Sequence, residues 1–93
     1  MSSTKRVTKK FTIFMDSTLY DKSPSFIPGI GRISCKKLNE HGLYKASNIL
    51  GRFLYLDEAD FILWLKSYGI NSHNSITCYN AQKQYAFLKK LCS

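Results

Sequence analysis

The stretch that most constrains this chain is Ile27-Pro28-Gly29-Ile30-Gly31 and the run behind it, Arg32-Ile33-Ser34-Cys35-Lys36-Lys37-Leu38-Asn39-Glu40-His41-Gly42-Leu43. Pro28 has no N–H to give and disfavours helical geometry at Ile27, so it ends any helix running into it. Gly29 and Gly31 permit a tight turn with positive φ and allow another molecule close to the backbone. The helix after them opens with unpaired N–H groups, which together with its dipole suit an anion. The pattern predicts a helix–hairpin–helix over about residues 23–43 that faces phosphate.

Composition agrees with such a partner. The 93 residues carry 14 Lys+Arg against 6 Asp+Glu, a net charge of +8. An excess of that size on one small domain points to a polyanion, nucleic acid or an acidic membrane surface. A hydrophobic content of 44% and an aromatic content of 14% support a packed core and exclude disorder. The cysteines Cys35, Cys78 and Cys92 form no CxxC, and His41 and His73 form no helical pair, so no metal site is expected. No cofactor is expected either. Reduced thiols, the lack of an apolar leader after Met1 and the lack of a long apolar run predict a soluble intracellular protein without membrane insertion.

Taken in order, residues 5–16 place Val7, Phe11, Phe14 and Met15 on one helical face, with Lys5, Arg6, Lys9 and Lys10 off it. Ser2, Ser3 and Thr4 precede that basic cluster and are phosphorylation candidates, since a phosphate there adds about −1.5 to −2 charge beside the cations. Ser23-Pro24 can start a short helical turn. The next helix is expected over Arg32–His41, burying Cys35 and Leu38 and ending at Gly42. Residues 44–56 read as a wide-faced helix interrupted by Gly51, which costs about 1 kcal/mol relative to Ala and so implies close approach of a helix or a chain. Asp57-Glu58-Ala59-Asp60 is an acidic helix start. The run Phe61–Leu65 predicts a helix that is central or shared with a second subunit. A polar linker over residues 71–75, capped at Asn74 or Ser75, leads to a last helix over Ile76–Leu91 with Ala81, Tyr85 and Leu88 on one side. The expected fold is all-α, a compact bundle of about five helices plus a short one, in a single domain over residues 1–93.

Several stretches together resemble the barrier-to-autointegration factor family of small chromatin proteins. They are Pro28-Gly-Ile-Gly31, Lys36-Lys37-Leu38, Gly42-Leu-Tyr-Lys-Ala46, Leu50-Gly-Arg-Phe-Leu54, Trp64-Leu-Lys66 and Gly69-Ile-Asn71. The resemblance covers nearly the whole chain and is strongest from Gly29 to Leu54. It implies an all-helical homodimer that binds and bridges double-stranded DNA without sequence preference. It further implies a groove for LEM-domain proteins, contacts with lamin, a place in the nucleus and nuclear envelope as well as the cytoplasm, and release from DNA by phosphorylation of the N-terminal Ser/Thr cluster. Carried over position by position, it implies DNA contacts at Lys10, Gly29, Ile30, Gly31, Ile33, Ser34, Lys37 and Ser72. It likewise implies a dimer and partner interface at Leu50, Gly51, Phe53, Leu54, Tyr55, Phe61 and Trp64. For Phe53 and Trp64 ordinary intrachain core is the competing reading.

The chain departs from the family pattern at five places, one of them Tyr55, an aromatic where a smaller aliphatic is expected, which would reshape or fill the partner groove. Asp57-Glu58 stand where a Lys pair is usual, His73 stands for a Lys and Ile76 for an Arg. Arg32, Lys36 and the N-terminal cations offer compensating charge. Hence a second reading, a dimeric adaptor with weakened DNA binding. A third, a DNA glycosylase or lyase built on the same hairpin, fits poorly because the chain is too short to enclose a flipped base. No catalytic residues are expected.

Overall fold

The computed structural model describes residues 9–16, 18–19 and 21–89. Five α-helices follow one another: α1 (Lys9–Met15), α2 (Arg32–Glu40), α3 (Ala46–Tyr55), α4 (Glu58–Lys66) and α5 (Ser72–Leu88), with a 3₁₀ turn at Pro24–Phe26 between α1 and α2. The all-helical expectation therefore holds among the described residues.

Local chemistry sets most of the element ends. Ser23 caps the 3₁₀ turn by accepting from the Ser25 N–H at 3.1 Å, with Pro24 first in the turn. After α2, the Gly42 N–H reaches the Asn39 carbonyl and the Leu43 N–H reaches the Leu38 carbonyl, each at 3.0 Å, with Gly42 at φ +84. After α4, Gly69 at φ +85 and Ile70 repeat this motif on Lys66 and Leu65. Both are helix ends that need a left-handed residue followed by an apolar one. The Asp57 carboxylate caps α4 by accepting from the Asp60 N–H at 2.9 Å. The start of α3 is held from outside: the Ala46 N–H donates to the Lys22 carbonyl at 2.7 Å and the Ser47 N–H to that of Leu19 at 3.2 Å.

Phe14, Ile27, Ile30, Leu38, Ile49, Phe61, Leu65 and Cys78 form the centre of the core and are fully buried. A run of rings extends it. Phe53 meets Phe61 edge-on at 5.6 Å, Phe61 lies 5.9 Å from Trp64, and Trp64 meets Tyr68 at 5.4 Å. Phe53 and Trp64 are thus half-buried members of the intrachain core.

Several sequence expectations change. The described part of the first helix begins at Lys9; Val7, Lys5 and Arg6 lie outside the described residues, as do Ser2, Ser3, Thr4, Leu91 and Cys92. The last helix starts at Ser72, not Ile76, because the Asn71 carboxamide accepts from the Asn74 N–H at 2.7 Å and so caps one turn earlier. Leu88 is exposed although Ala81 and Tyr85 are buried. The buried side of α5 is carried by Ser75, Cys78, Ala81, Gln82, Tyr85 and Ala86 instead. Helix α4 is not central: Phe61 and Leu65 are buried, but Leu63 is 62% exposed.

Candidate nucleic-acid interface and dimer surface

The hairpin turn is pinned from three sides. Gly29 takes φ +91, and a Cβ there would overlap the Asn74 carbonyl oxygen and lie 2.9 Å from the Cys78 nitrogen. Gly29 is therefore required by the backbone of α5 packed against it, whatever binds outside. Ile30 is fully buried, its N–H donates to the Ile27 carbonyl at 3.0 Å, and its carbonyl accepts from Lys10 Nζ at 2.9 Å. Ile30 thus has no group left for a phosphate. It is the pin of the turn and is withdrawn from the anion-contacting set.

Gly31 behaves differently. It sits at φ −95 and ψ −169, extended backbone open to any residue, so the expected positive φ applies to Gly29 alone. A Cβ on Gly31 would meet nothing within 4 Å. Gly31 is the N-cap of α2 and supplies no side-chain cap. The N–H groups of Arg32, Ile33 and Ser34 consequently point out of the helix start without an intrahelical acceptor. Ile33 is 75% exposed beside them. These donors, aligned with the positive end of the helix dipole, make the start of α2 a candidate anion seat, and the absence of a side chain at position 31 leaves open space beside it.

Cations surround this seat unevenly. Lys10 reaches across from α1 and is held at the turn by its bond to Ile30. Burial lowers its pKa, and the nearby Cys78 opposes that shift. Lys10, Ser25, Gly31, Arg32, Lys36 and Asn39 line an open cleft of about 420 Å³. Lys37, one residue on and so about 100° further round the helix, is turned the other way. Its ammonium lies over Gly69, where a Cβ would come within 2.7 Å of it. Exposed Ser72, one residue into α5, follows shortly after Gly69. Lys10 and Lys37 therefore flank α2 on different sides. Arg32 and Lys36, the compensating cations of the sequence, are joined here by Ser25 and Asn39, which no motif in the sequence marks; the spacing Arg32-x3-Lys36-x2-Asn39 is the signal that places three of the four on one face.

The second surface is on α3. Ser47, Leu50, Gly51 and Leu54 recur at one helical face and, with Leu19 and Tyr85, line a groove of about 300 Å³. A Cβ on Gly51 would meet nothing within 4 Å, so no helix among the described residues explains the glycine. Leu54 is 46% and Tyr55 82% exposed. Phe61, in contrast, is fully buried within the chain and leaves the interface set.

Known proteins match this chain along its length. A family model described as barrier to autointegration factor matches residues 5–88. The chain belongs to the barrier-to-autointegration factor family. Barrier-to-autointegration factor from Danio rerio is 36% identical over 88 residues, covering 91% of this chain and 94% of the relative. The Homo sapiens protein of that name is 36% identical over 85 residues, 86% and 96% of the two chains. Barrier-to-autointegration factor B from Xenopus laevis is 38% identical over 93 residues, 95% and 100% of the two. Family membership and the all-helical architecture thus agree with the hairpin that dominates the sequence. No helix among the described residues is long and apolar enough to cross a membrane.

Proposed function

We propose that this family member binds double-stranded DNA without sequence preference and, as a homodimer, bridges duplexes in chromatin and at the nuclear envelope. The observation that carries the reading is the open, uncapped start of α2 at Gly31, on a chain of net charge +8. The N–H groups of Ile33 and Ser34, next to Gly31, hold phosphate oxygens. Lys10 and Lys37 add point charges, and Ser72 adds a contact from the start of α5. Such contacts fix position and carry no base information. The contacting unit is a turn, so no helix enters a groove to read base edges. The protein acts as a binding module, without a catalytic step.

Leu50, Gly51, Leu54 and Tyr55 form the surface for the second copy and for LEM-domain or lamin partners, with half-buried Phe53 and Trp64 supporting it from inside. Phosphorylation at Ser2, Ser3 or Thr4 would weaken DNA binding by charge. The adaptor reading draws on exposed Asp57 and Glu58 at the start of α4, and on exposed His73 and Ile76, four positions that carry no Lys or Arg.

Binding of unrelated duplexes, followed by fluorescence anisotropy over a salt series, tests the DNA reading. The logarithm of the binding constant is expected to fall linearly with the logarithm of salt, by roughly 0.9 per phosphate neutralised. Gly31→Glu puts a carboxylate into the anion seat at a position with free space, so the fold survives and affinity drops by about two orders of magnitude. Unchanged binding by Gly31→Glu refutes the seat. Gly29 is unsuited to this test because its substitution strikes the backbone of α5.

A further inference from the structure

The cleft beside the anion seat has a chemistry of its own. Arg32, Lys36 and Asn39 stand at i, i+4 and i+7 on α2 and so share one face, while Lys10 closes the cleft from α1 and Ser25 from the 3₁₀ turn. No carboxylate lines it, and neither Arg32 nor Lys36 pairs with one among the described residues. Three cations thus converge on one concavity with no internal counter-charge. An ammonium carries three donors, so Lys10 keeps two after its bond to the Ile30 carbonyl. The Ser25 hydroxyl lies 2.9 Å from Ser23 Oγ and can accept from it while turning its own proton outward. Asn39 brings a carboxamide whose Oδ1 is buried and whose NH2 end is the part that could donate to a phosphate oxygen. The wall therefore offers free donors, on Lys10 and Ser25, as well as charge.

We propose that this cleft is a second phosphate seat, taking the backbone phosphodiester adjacent to the one held at the start of α2. Gly31 is common to both, as N-cap of the helix and as rim of the cleft. Arg32 is the principal ligand, because a guanidinium presents a planar fork to two phosphate oxygens where a lysine offers a point charge. Lys36 and Lys10 supply the remaining charge, and Ser25 a neutral donor. Lys37, turned toward Gly69 on the other side of α2, belongs to the first seat and not to this one. The proposal rests on the DNA reading and deepens it: the strand is gripped at two successive phosphates, one by backbone N–H groups and one by side chains.

The test is the salt series repeated with Arg32→Gln, Lys36→Gln, Arg32→Lys and, as a control with the same loss of net charge, Lys83→Gln on the exposed side of α5. Circular dichroism and light scattering establish that fold and oligomeric state match the unaltered protein. Arg32→Gln and Lys36→Gln are each expected to lower the salt slope by about one and to weaken binding to all duplexes alike. Arg32→Lys retains the slope but binds more weakly than the original, and Lys83→Gln leaves the slope unchanged. If Arg32→Gln and Lys36→Gln match Lys83→Gln while the unaltered protein binds DNA, the second seat is refuted and the hairpin reading stands. If the unaltered protein shows no salt-dependent binding, the DNA reading fails and the seat falls with it.

Discussion

At the scale of single residues, the hairpin is coupled to a buried thiol. Cys78 is fully buried on α5, and its backbone nitrogen lies directly under Gly29. Burial pushes the thiol up from 9.0 to about 12, with Gln82 and Lys10 opposing that rise. The unfolded chain releases this proton near pH 9, whereas the folded chain keeps it to about pH 12. Over that window the folded state binds more protons, so stability falls as pH rises. Lys10 acts in the other direction. Its lowered pKa means that the unfolded chain holds the Lys10 proton longer, which raises stability in the window just below 10.5. Lys10 is largely exposed, so the thiol dominates. Urea midpoints measured by circular dichroism should therefore decline above about pH 9, and Cys78→Ala should flatten the decline even though it lowers stability at neutral pH. An equally steep alkaline decline in Cys78→Ala would place its origin elsewhere.

At the scale of elements, α3 carries a glycine that no neighbour among the described residues requires. In an isolated copy, Gly51→Ala removes the conformational cost of glycine and strikes nothing, so the helix gains about 0.5–1 kcal/mol. Against a second chain packed on this face, the added methyl costs affinity. Thermal unfolding at low protein concentration should rise while sedimentation equilibrium shows weaker association; undiminished association would move the interface off α3. The elements legible from sequence are those set by neighbours along the chain. Ser23-Pro24 opens a turn, Pro28-Gly29 makes the hairpin, and Gly42-Leu43 closes α2, each through local hydrogen bonds and φ. What depends on distant packing was not legible. Phe61 and Leu63 lie two residues apart in one apolar run, and only the docking of α3 and α5 decides that the first is buried and the second exposed. Asn71 and Asn74 are equally good caps in isolation, and the chain uses Asn71. The cleft needs Lys10 to reach the turn 20 residues on, which no periodicity encodes.

At the scale of the whole molecule, one copy has one hairpin and one exposed α3 face, on different elements. Bridging of duplexes therefore requires that the α3 face join two copies while each hairpin stays free. Once one hairpin is bound, the second meets a nearby duplex at an effective concentration set by the dimer's geometry, so bridging exceeds what either site does alone. Leu54→Glu places a charge on the exposed part of the groove without touching the core or the anion seat. Mixed with random duplex DNA at low salt, the unaltered protein should raise light scattering steeply, and added salt should reverse it as phosphate contacts weaken. Excess protein should also reverse it, because every duplex is then coated by dimers with an empty second hairpin. Leu54→Glu should be monomeric, retain binding of a single short duplex by anisotropy, and give no rise in scattering. Scattering by the monomeric variant equal to that of the unaltered protein would show that one copy contacts two duplexes by itself, and that the α3 face plays no part in bridging.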